Sequence, residues 1–173
     1  MYKHVGYVWP GMLRVTVKEA RRLFKEGSIV YRLHLDNTES MIADVNEIDD
    51  EGEFGVECKE FDFDDYFTAN KDAFGMVTFS HGTDDIDDLL TLMKEFLECI
   101  MQSIDDTLKP KLETIIQEID NYIDTKETDI KSNIWKDVEV FLNDIIPPGW
   151  KFGEFANNGL DYVFIEENRT QDN

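Results

Sequence analysis

Positive charge is scarce in this sequence. Seventeen Lys and Arg stand against thirty-eight Asp and Glu in 173 residues, a formal net charge of −21. That shortage excludes a domain-wide basic footprint for nucleic acid, and it repels anionic membrane as well. Cysteine is sparse too. Cys58 and Cys99 are too few for a disulfide framework and sit within apolar patterns, so both are expected as reduced, buried or part-buried thiols of a cytoplasmic protein. His4, His34 and His81 share no ligand-like spacing with each other or with the cysteines, which argues against a structural zinc site. No stretch approaches the roughly 18 apolar residues of a membrane helix, and MYKHVGYVWPGMLRV at the start carries no run long enough for a secretory signal. Neither GxxxxGK(S/T) nor GxGxxG occurs, so no phosphate-cradling loop is indicated. No cofactor and no metal are expected.

What is present is acid, unevenly spread. Residues 1–35 carry a net +5 and residues 36–173 a net −26. Two blocks stand out: 36–66 with thirteen acids and one Lys, and 84–106 with eight acids and one Lys. Hydrophobic content of 42% and twelve Phe nevertheless exceed what a disordered acidic tail carries. The chain folds, against its own charge.

The elements can be read from periodicity. Thr16-Val17-Lys18-Glu19 has the form of a capping box with Thr16 as N-cap. Val17, Ala20, Leu23 and Phe24 follow at helical spacing, Gly27 suits the residue after the helix, and Lys18, Arg21, Arg22 and Lys25 fall on the other face. Ile29, Tyr31, Leu33 and Leu35 then alternate with Val30, Arg32 and His34, which predicts a strand. Asp36-Asn37-Thr38 is turn chemistry, 39–43 returns as a second strand, and 44–53 is an acidic connection. Further strands are expected at 54–58, 76–80 and 5–9.

Beyond residue 83 the period changes. Thr83 caps a helix whose first turn holds Asp84, Asp85, Asp87 and Asp88 and whose apolar stripe runs from Ile86 to Ile104. Pro110 opens a second helix with Leu112, Ile115, Ile116, Ile119, Tyr122 and Ile123 on one face. A third carries Ile130, Ile134, Val138, Phe141, Leu142 and Ile145 and stops at Pro147-Pro148-Gly149; 125–129 is either a break or a continuation. The stripes suit a packed helical layer better than a coiled coil, because the heptad is not sustained. Residues 151–155 and 161–166 flank Asn157-Asn158-Gly159 and predict a hairpin. The expected fold is α+β: a small antiparallel sheet with a short N-terminal helix, two or three long amphipathic helices and a C-terminal hairpin. It is expected to form one domain over 1–173, with sub-modules at 1–80, 83–146 and 147–167.

Reactive chemistry is hard to find. Residues 44–60 have the composition of a calcium loop, but Ile48 and Phe54 occupy slots that an EF-hand reserves for polar residues or glycine. Ser80-His81-Gly82-Thr83-Asp84-Asp85 gathers triad residue types without a strained elbow, and reads as the turn and cap of the long helix. The cations of the first helix suit an internal role against the protein's own acids, or an acidic patch on a partner, better than phosphate.

Two stretches carry a resemblance. Residues 17–57, with "VYRLHLDNTES" at 30–40 and "GEFGVE" at 52–57, and the ending PPGWKFGEFANNGLDYVF at 147–164 resemble small acidic accessory proteins of phages and conjugative elements of gut bacteria. The resemblance covers about a third of the chain, carries no catalytic residue, and implies a mobile-element context in which such proteins act against host defence.

Charge and composition together give the functional expectation. Duplex DNA presents about one charge per 1.7 Å of axis, and carboxylates arrayed on a folded surface can imitate that field. The chain is expected to be a non-enzymatic inhibitor or interaction protein. Its partner would be a basic nuclease or other nucleic-acid-binding enzyme, of restriction or RNA-guided type, held in one-to-one or dimer-to-partner complexes without direct nucleic-acid or membrane contact. The candidate partner-binding residues are Asp49, Asp50, Glu51 and Glu53, then Asp62, Asp64 and Asp65, then Asp84, Asp85, Asp87 and Asp88. Trp150 and Phe155 are candidate aromatic anchors. Two alternatives stay open: an immunity-type or assembly partner that binds by shape, and a divalent-metal-dependent hydrolase built on the Asp62–Asp65 cluster.

Overall fold

A computed structural model of the chain describes residues 6–79, 86–126, 128–154 and 162–167. Among these residues seven strands sort into two antiparallel sheets, and five helices pack beside them, so the fold is α+β.

The first sheet has the order β1-β4-β2-β3, from β1 (Met12–Val15), β2 (Tyr31–Leu33), β3 (Glu39–Met41) and β4 (Glu53–Glu57). Three of these strands fall where alternation predicts them. β1 does not: four residues immediately before a capping box are too short to declare a period. It pairs along β4 from Met12↔Glu57 to Val15↔Phe54. Helix α1 (Val17–Lys25) covers one face and closes a small cluster of Ala20, Val30, Ile42, Ile48 and Phe54. Thr16 accepts the Glu19 N–H at 3.1 Å, but the Glu19 carboxylate turns to Arg22, so only half of the expected box forms. The helix ends at Gly27, whose φ of +92° is costly for residues with a Cβ.

A further helix, α2 (Phe63–Asn70), was not legible as a period. Asp62 caps it by accepting the Asp65 N–H at 3.1 Å. At its other end Asn70 is fully buried. It donates to the Met12 carbonyl at 3.1 Å and accepts the Arg14 N–H at 3.1 Å, which fixes α2 to β1.

The second sheet joins distant parts of the chain. β5 (Met76–Thr78) pairs with β7 (Tyr162–Glu166), which pairs with β6 (Trp150–Glu154). The strand at 76–80 therefore joins the closing hairpin, not the first sheet. Residues 6–8 run along the other edge of β5, where the strand expected at 5–9 reduces to one parallel bridge between Tyr7 and Thr78. Gly6 is required there, since a Cβ would lie 2.1 Å from the Met76 carbonyl oxygen. The Asn-Gly turn between β6 and β7 lies outside the described residues.

Three long helices complete the molecule: α3 (Ile86–Met101), α4 (Lys109–Thr125) and α5 (Thr128–Ile145). α3 stops short of Ile104. Asp105 takes both the N–H and the hydroxyl of Thr107, a local turn that competes with helix. The question left by 125–129 resolves as a break: Lys126 adopts a left-handed conformation, φ +58°, and closes α4 on the Tyr122 carbonyl. α3 packs on α4, α4 on α5, and α5 on β6, a layer rather than a coiled coil. The main core joins this layer to the second sheet through Phe79, Phe96, Phe152 and Phe164. Phe79 meets Phe96 edge-on at 5.4 Å, and Phe152 lies 4.9 Å from Phe164. No helix among the described residues is long and apolar enough to cross a membrane.

Candidate functional site

Much of the first acidic block is engaged by the protein's own groups while staying exposed, Glu53 apart. Asp49 accepts a hydrogen bond from Arg32 at 2.8 Å and the N–H groups of Glu51 and Gly52, and the Arg32 contact holds its pKa below the usual aspartate value. Asp50 pairs with Arg21 at 3.2 Å. Glu53 is buried, 5% exposed, and faces Arg14 at 3.4 Å. Glu51 is exposed. Asp44 and Glu47 form a capping box around a 3-10 turn at Val45–Glu47, so the acidic connection is a hydrogen-bonded structure. Arg14, Arg21 and Arg32 thus have the internal role that their sequence context suggested. Of this first group, Glu53 faces inward, Asp49 and Asp50 are paired yet exposed, and Glu51 is exposed.

Asp62 is committed to capping α2, while Asp64 and Asp65 are on its outer first turn. Asp84 and Asp85 lie outside the described residues. Asp87 pairs with Lys126, which carries the end of α4 to the start of α3. Asp88 is exposed. Trp150 is no free anchor: it stacks on Phe67 at 4.1 Å and 23° beneath Lys71, at the edge of the core. Phe155 lies outside the described residues.

The two acidic blocks meet along a row in which Asp88 alone was a candidate from the sequence. Asp88, Thr91, Glu95 and Glu98 form an exposed stripe along α3 at alternating spacings of three and four, which Gln102 continues just past the end of the helix. Glu39, from the exposed edge strand β3, faces it. Burial against the facing element raises the pKa of Glu95, and the charges of Glu39 and Glu98 raise it further. Glu39 is also raised, by burial, although His34 opposes the shift. Both residues expose much of their area, so the loss of water is confined to one side of each carboxylate. Among the described residues no cation stands within ion-pair distance of either. Lys94 is drawn to Asp120 at 2.6 Å and Glu98 at 3.9 Å, bridging α3 to α4. The result is an acidic band from β3 across α3 to Asp120 and Asp124 of α4.

Its density can be compared with nucleic acid. Asp88 to Glu98 spans about 15 Å of helix at 1.5 Å per residue, so its three carboxylates stand on average roughly 7.5 Å apart. One DNA strand presents a phosphate about every 3.4 Å of axis. The α3 row alone is sparser, and Glu39 and Asp120 on its flanks narrow the difference. The signal for this band was available in the three-four spacing of α3, but Glu39 could be placed beside it only by the fold.

A shallow groove of about 340 Å³ runs between α4 and α5, lined by Ile115, Glu118, Lys136, Asp137 and Val140 among others. Burial, then the neighbouring Asp137 carboxylate, raises the pKa of Glu118. No group of three or more His, Cys, Asp or Glu among the described residues is arranged to hold a metal ion. Comparison with protein-family models, with curated proteins and with solved structures gives no match.

Proposed function

We propose that this chain is a non-enzymatic interaction protein that binds a basic, nucleic-acid-handling enzyme such as a nuclease and inhibits it. The contact surface is the acidic band of Asp88, Glu95 and Glu98 on α3 with Glu39 on β3. One observation supports the reading: acids from two distant segments share one exposed surface, where burial and then the charges of Glu39 and Glu98 raise the pKa of Glu95 despite the opposing charge of Lys94. A merely solubilising surface has no reason to concentrate repulsion at one place, and −21 is well beyond the magnitude of about 2–8 that solubility needs. A basic channel on a partner relieves that repulsion on binding, which favours rapid, salt-sensitive association.

The direct experiment is capture of lysate proteins on the tagged chain, washed at low and then high salt and identified by mass spectrometry. Nucleases or other nucleic-acid-binding enzymes that elute with salt support the proposal. Partners that stay bound in high salt favour the shape-driven reading, for which the α4–α5 groove with its half-exposed Val140 is the natural surface. Release of nothing but abundant basic proteins, equally from a band-neutralised variant, contradicts the acidic-band model.

A further inference from the structure

A sheet leaves backbone groups unpaired along its edges, and the two sheets of the described residues have four edges between them. Three are closed by the protein itself. Along β1 the Asn70 amide donates to the Met12 carbonyl at 3.1 Å and accepts the Arg14 N–H at 3.1 Å. Along β6 the Asn143 amide accepts the Phe152 N–H and donates to the Phe152 carbonyl, both at 2.9 Å. Along β5 the Val8 N–H donates to the Thr78 carbonyl at 3.0 Å, and the Thr78 N–H to the Gly6 carbonyl at 2.7 Å. Two asparagines and the segment at 6–8 thus stand where further strands would.

β3 is the exception. At its two ends the Ile42 N–H donates to the Val30 carbonyl and the His34 N–H to the Thr38 carbonyl, both at 2.9 Å. Bonded and unbonded residues alternate along an antiparallel pair, so residues 38, 40 and 42 turn their backbone groups toward β2. Glu39 lies opposite Leu33 and Met41 opposite Tyr31. The N–H and C=O groups of Glu39 and Met41 therefore point away from the sheet, and among the described residues nothing bonds them. All three residues of the strand are exposed, Met41 by 62%. Glu39 and Met41 share one side-chain face.

Charge selects the occupant of this edge. A second copy laid on it would add another Glu39 beside the first, between two chains of net −21 each. The charge of Glu39 is already felt at Glu95 of α3. Nearby cations are taken: Arg32 by Asp49 at 2.8 Å and Lys94 by Asp120 at 2.6 Å. An extended segment carrying Lys or Arg suits both the backbone and the charge, because it completes the ladder and sets opposite charges across the strand pair. We propose that the β3 edge accepts an extended basic segment of the partner as a fifth strand of the first sheet, with Lys or Arg opposite Glu39 and an apolar side chain against Met41. The inference rests on the acidic-band reading and specifies how the partner is held.

The test is an amide-resolved NMR titration of the full chain with the peptide acetyl-Lys-Thr-Val-Thr-Lys-Thr-Val-amide, whose Lys and Val share one face when extended. Exchange of the Glu39 and Met41 amides with solvent is expected to slow in proportion to the peptide bound, while the Ser40 amide, already turned to β2, changes little. The same peptide with Glu for Lys is expected to bind about tenfold more weakly. Met41→Pro removes an outward N–H that the ladder does not use, a change that edge strands tolerate. It is expected to weaken binding about three- to tenfold, the worth of one hydrogen bond. If that variant does not fold, the alternating exchange pattern of the unaltered protein decides. Equal binding of the Glu peptide, no shift at millimolar peptide, or a dimer that Met41→Pro dissociates overturns the proposal. Shifts confined to α3 overturn it too and leave the acidic-band reading standing. Edge protection by the peptide, with no nucleic-acid-binding enzyme captured from lysate, fails the inhibitor reading alone.

Discussion

Glu95 on α3 and Glu39 on the edge strand β3 stand close enough for the charge of the second to help hold up the pKa of the first. These two side chains lie 56 residues apart and belong to different acidic blocks. Their proximity is what makes one surface out of two sequence segments. It also makes that surface expensive, because each carboxylate is harder to ionise in the folded protein than in the open chain.

The cost has a sign in pH. Glu39 and Glu95 hold folded pKa values above their ordinary value of 4.5. Between 4.5 and those raised values the folded protein binds more protons than the unfolded chain, so their joint contribution to stability falls as pH rises through that window. Glu95→Gln is expected to melt about 1–2 °C above the parent near neutral pH, a modest gain suited to an exposed group. The difference should vanish below 4.5. Asp36 and Asp49 act oppositely: their folded values lie below 3.8, so their stabilisation is present above 3.8 and lost as pH falls further. A melting series across this range checks both signs. A constant difference between Glu95→Gln and the parent would contradict the assignment.

Salt gives a second reading of the same repulsion. A net charge of −21 destabilises the compact state through self-repulsion. Raising salt from about 0.01 M to about 1 M shortens the screening length from about 30 Å to about 3 Å. The melting temperature is expected to rise over that range with NaCl, and to rise less for a variant carrying Glu39→Gln, Glu95→Gln and Glu98→Gln. Unchanged salt dependence in that variant would show that the band is not where the repulsion concentrates.

The long helices were legible because their stripes repeat over several turns, as with Leu112, Ile115, Ile119 and Tyr122, all buried on α4. The closing hairpin was legible through its turn signal. β1 and α2 were not, since a four-residue strand and an eight-residue helix hold too little periodicity to stand out. Sheet membership of β5 depended on pairing with β7, about ninety positions away, which no local pattern encodes. Acid composition was the weakest guide to the site. A capping aspartate such as Asp62, a buried one-sided pair such as Glu53 and an exposed carboxylate such as Glu95 look identical in sequence and differ only in what the fold sets beside them.

Arg14 and Glu53 illustrate the buried kind. Glu53 is 5% exposed and Arg14 27%, at 3.4 Å, and Arg14 also donates to the Ala69 carbonyl at 3.2 Å. Arg14→Met leaves the Glu53 carboxylate buried without this partner. The expected loss is about 2–3 kcal/mol, below the 3–5 of a fully buried pair because the guanidinium is partly wet. Adding Glu53→Gln should recover part of the loss. Chemical denaturation of the two single variants and the double variant measures the coupling, and additive losses would rule out a direct pair.

Asn70 carries a comparable load without charge. Its amide bonds the Met12 carbonyl and the Arg14 N–H while fully buried, and so couples α2 to β1. Asn70→Ala strands both backbone groups, each at about 1–3 kcal/mol. A total loss of about 2–4 kcal/mol is expected, with the Arg14 amide exchanging faster with solvent than in the parent. A loss within about 0.5 kcal/mol, the range of an ordinary surface change, would mean that water or a shifted backbone replaces the amide.

Separating the two kinds of acid is the sharpest test of the proposed function. Asp49→Asn and Asp50→Asn remove carboxylates held by Arg32 and Arg21. They are expected to lower stability by about 1 kcal/mol or less, as exposed pairs do, and to leave partner affinity nearly unchanged. Glu39→Gln, Glu95→Gln and Glu98→Gln together should do the reverse: no loss of stability, weaker binding to the basic partner, and a shallower dependence of affinity on salt. Mutating charges of this kind acts chiefly on the association rate, so the slowing should appear in the on-rate while dissociation changes little. Binding kinetics at two salt concentrations distinguish the sets. If the Asp49 and Asp50 variants weaken binding more than the band variant, the contact surface lies on the α1 and β2 side and the band is solvated surface only.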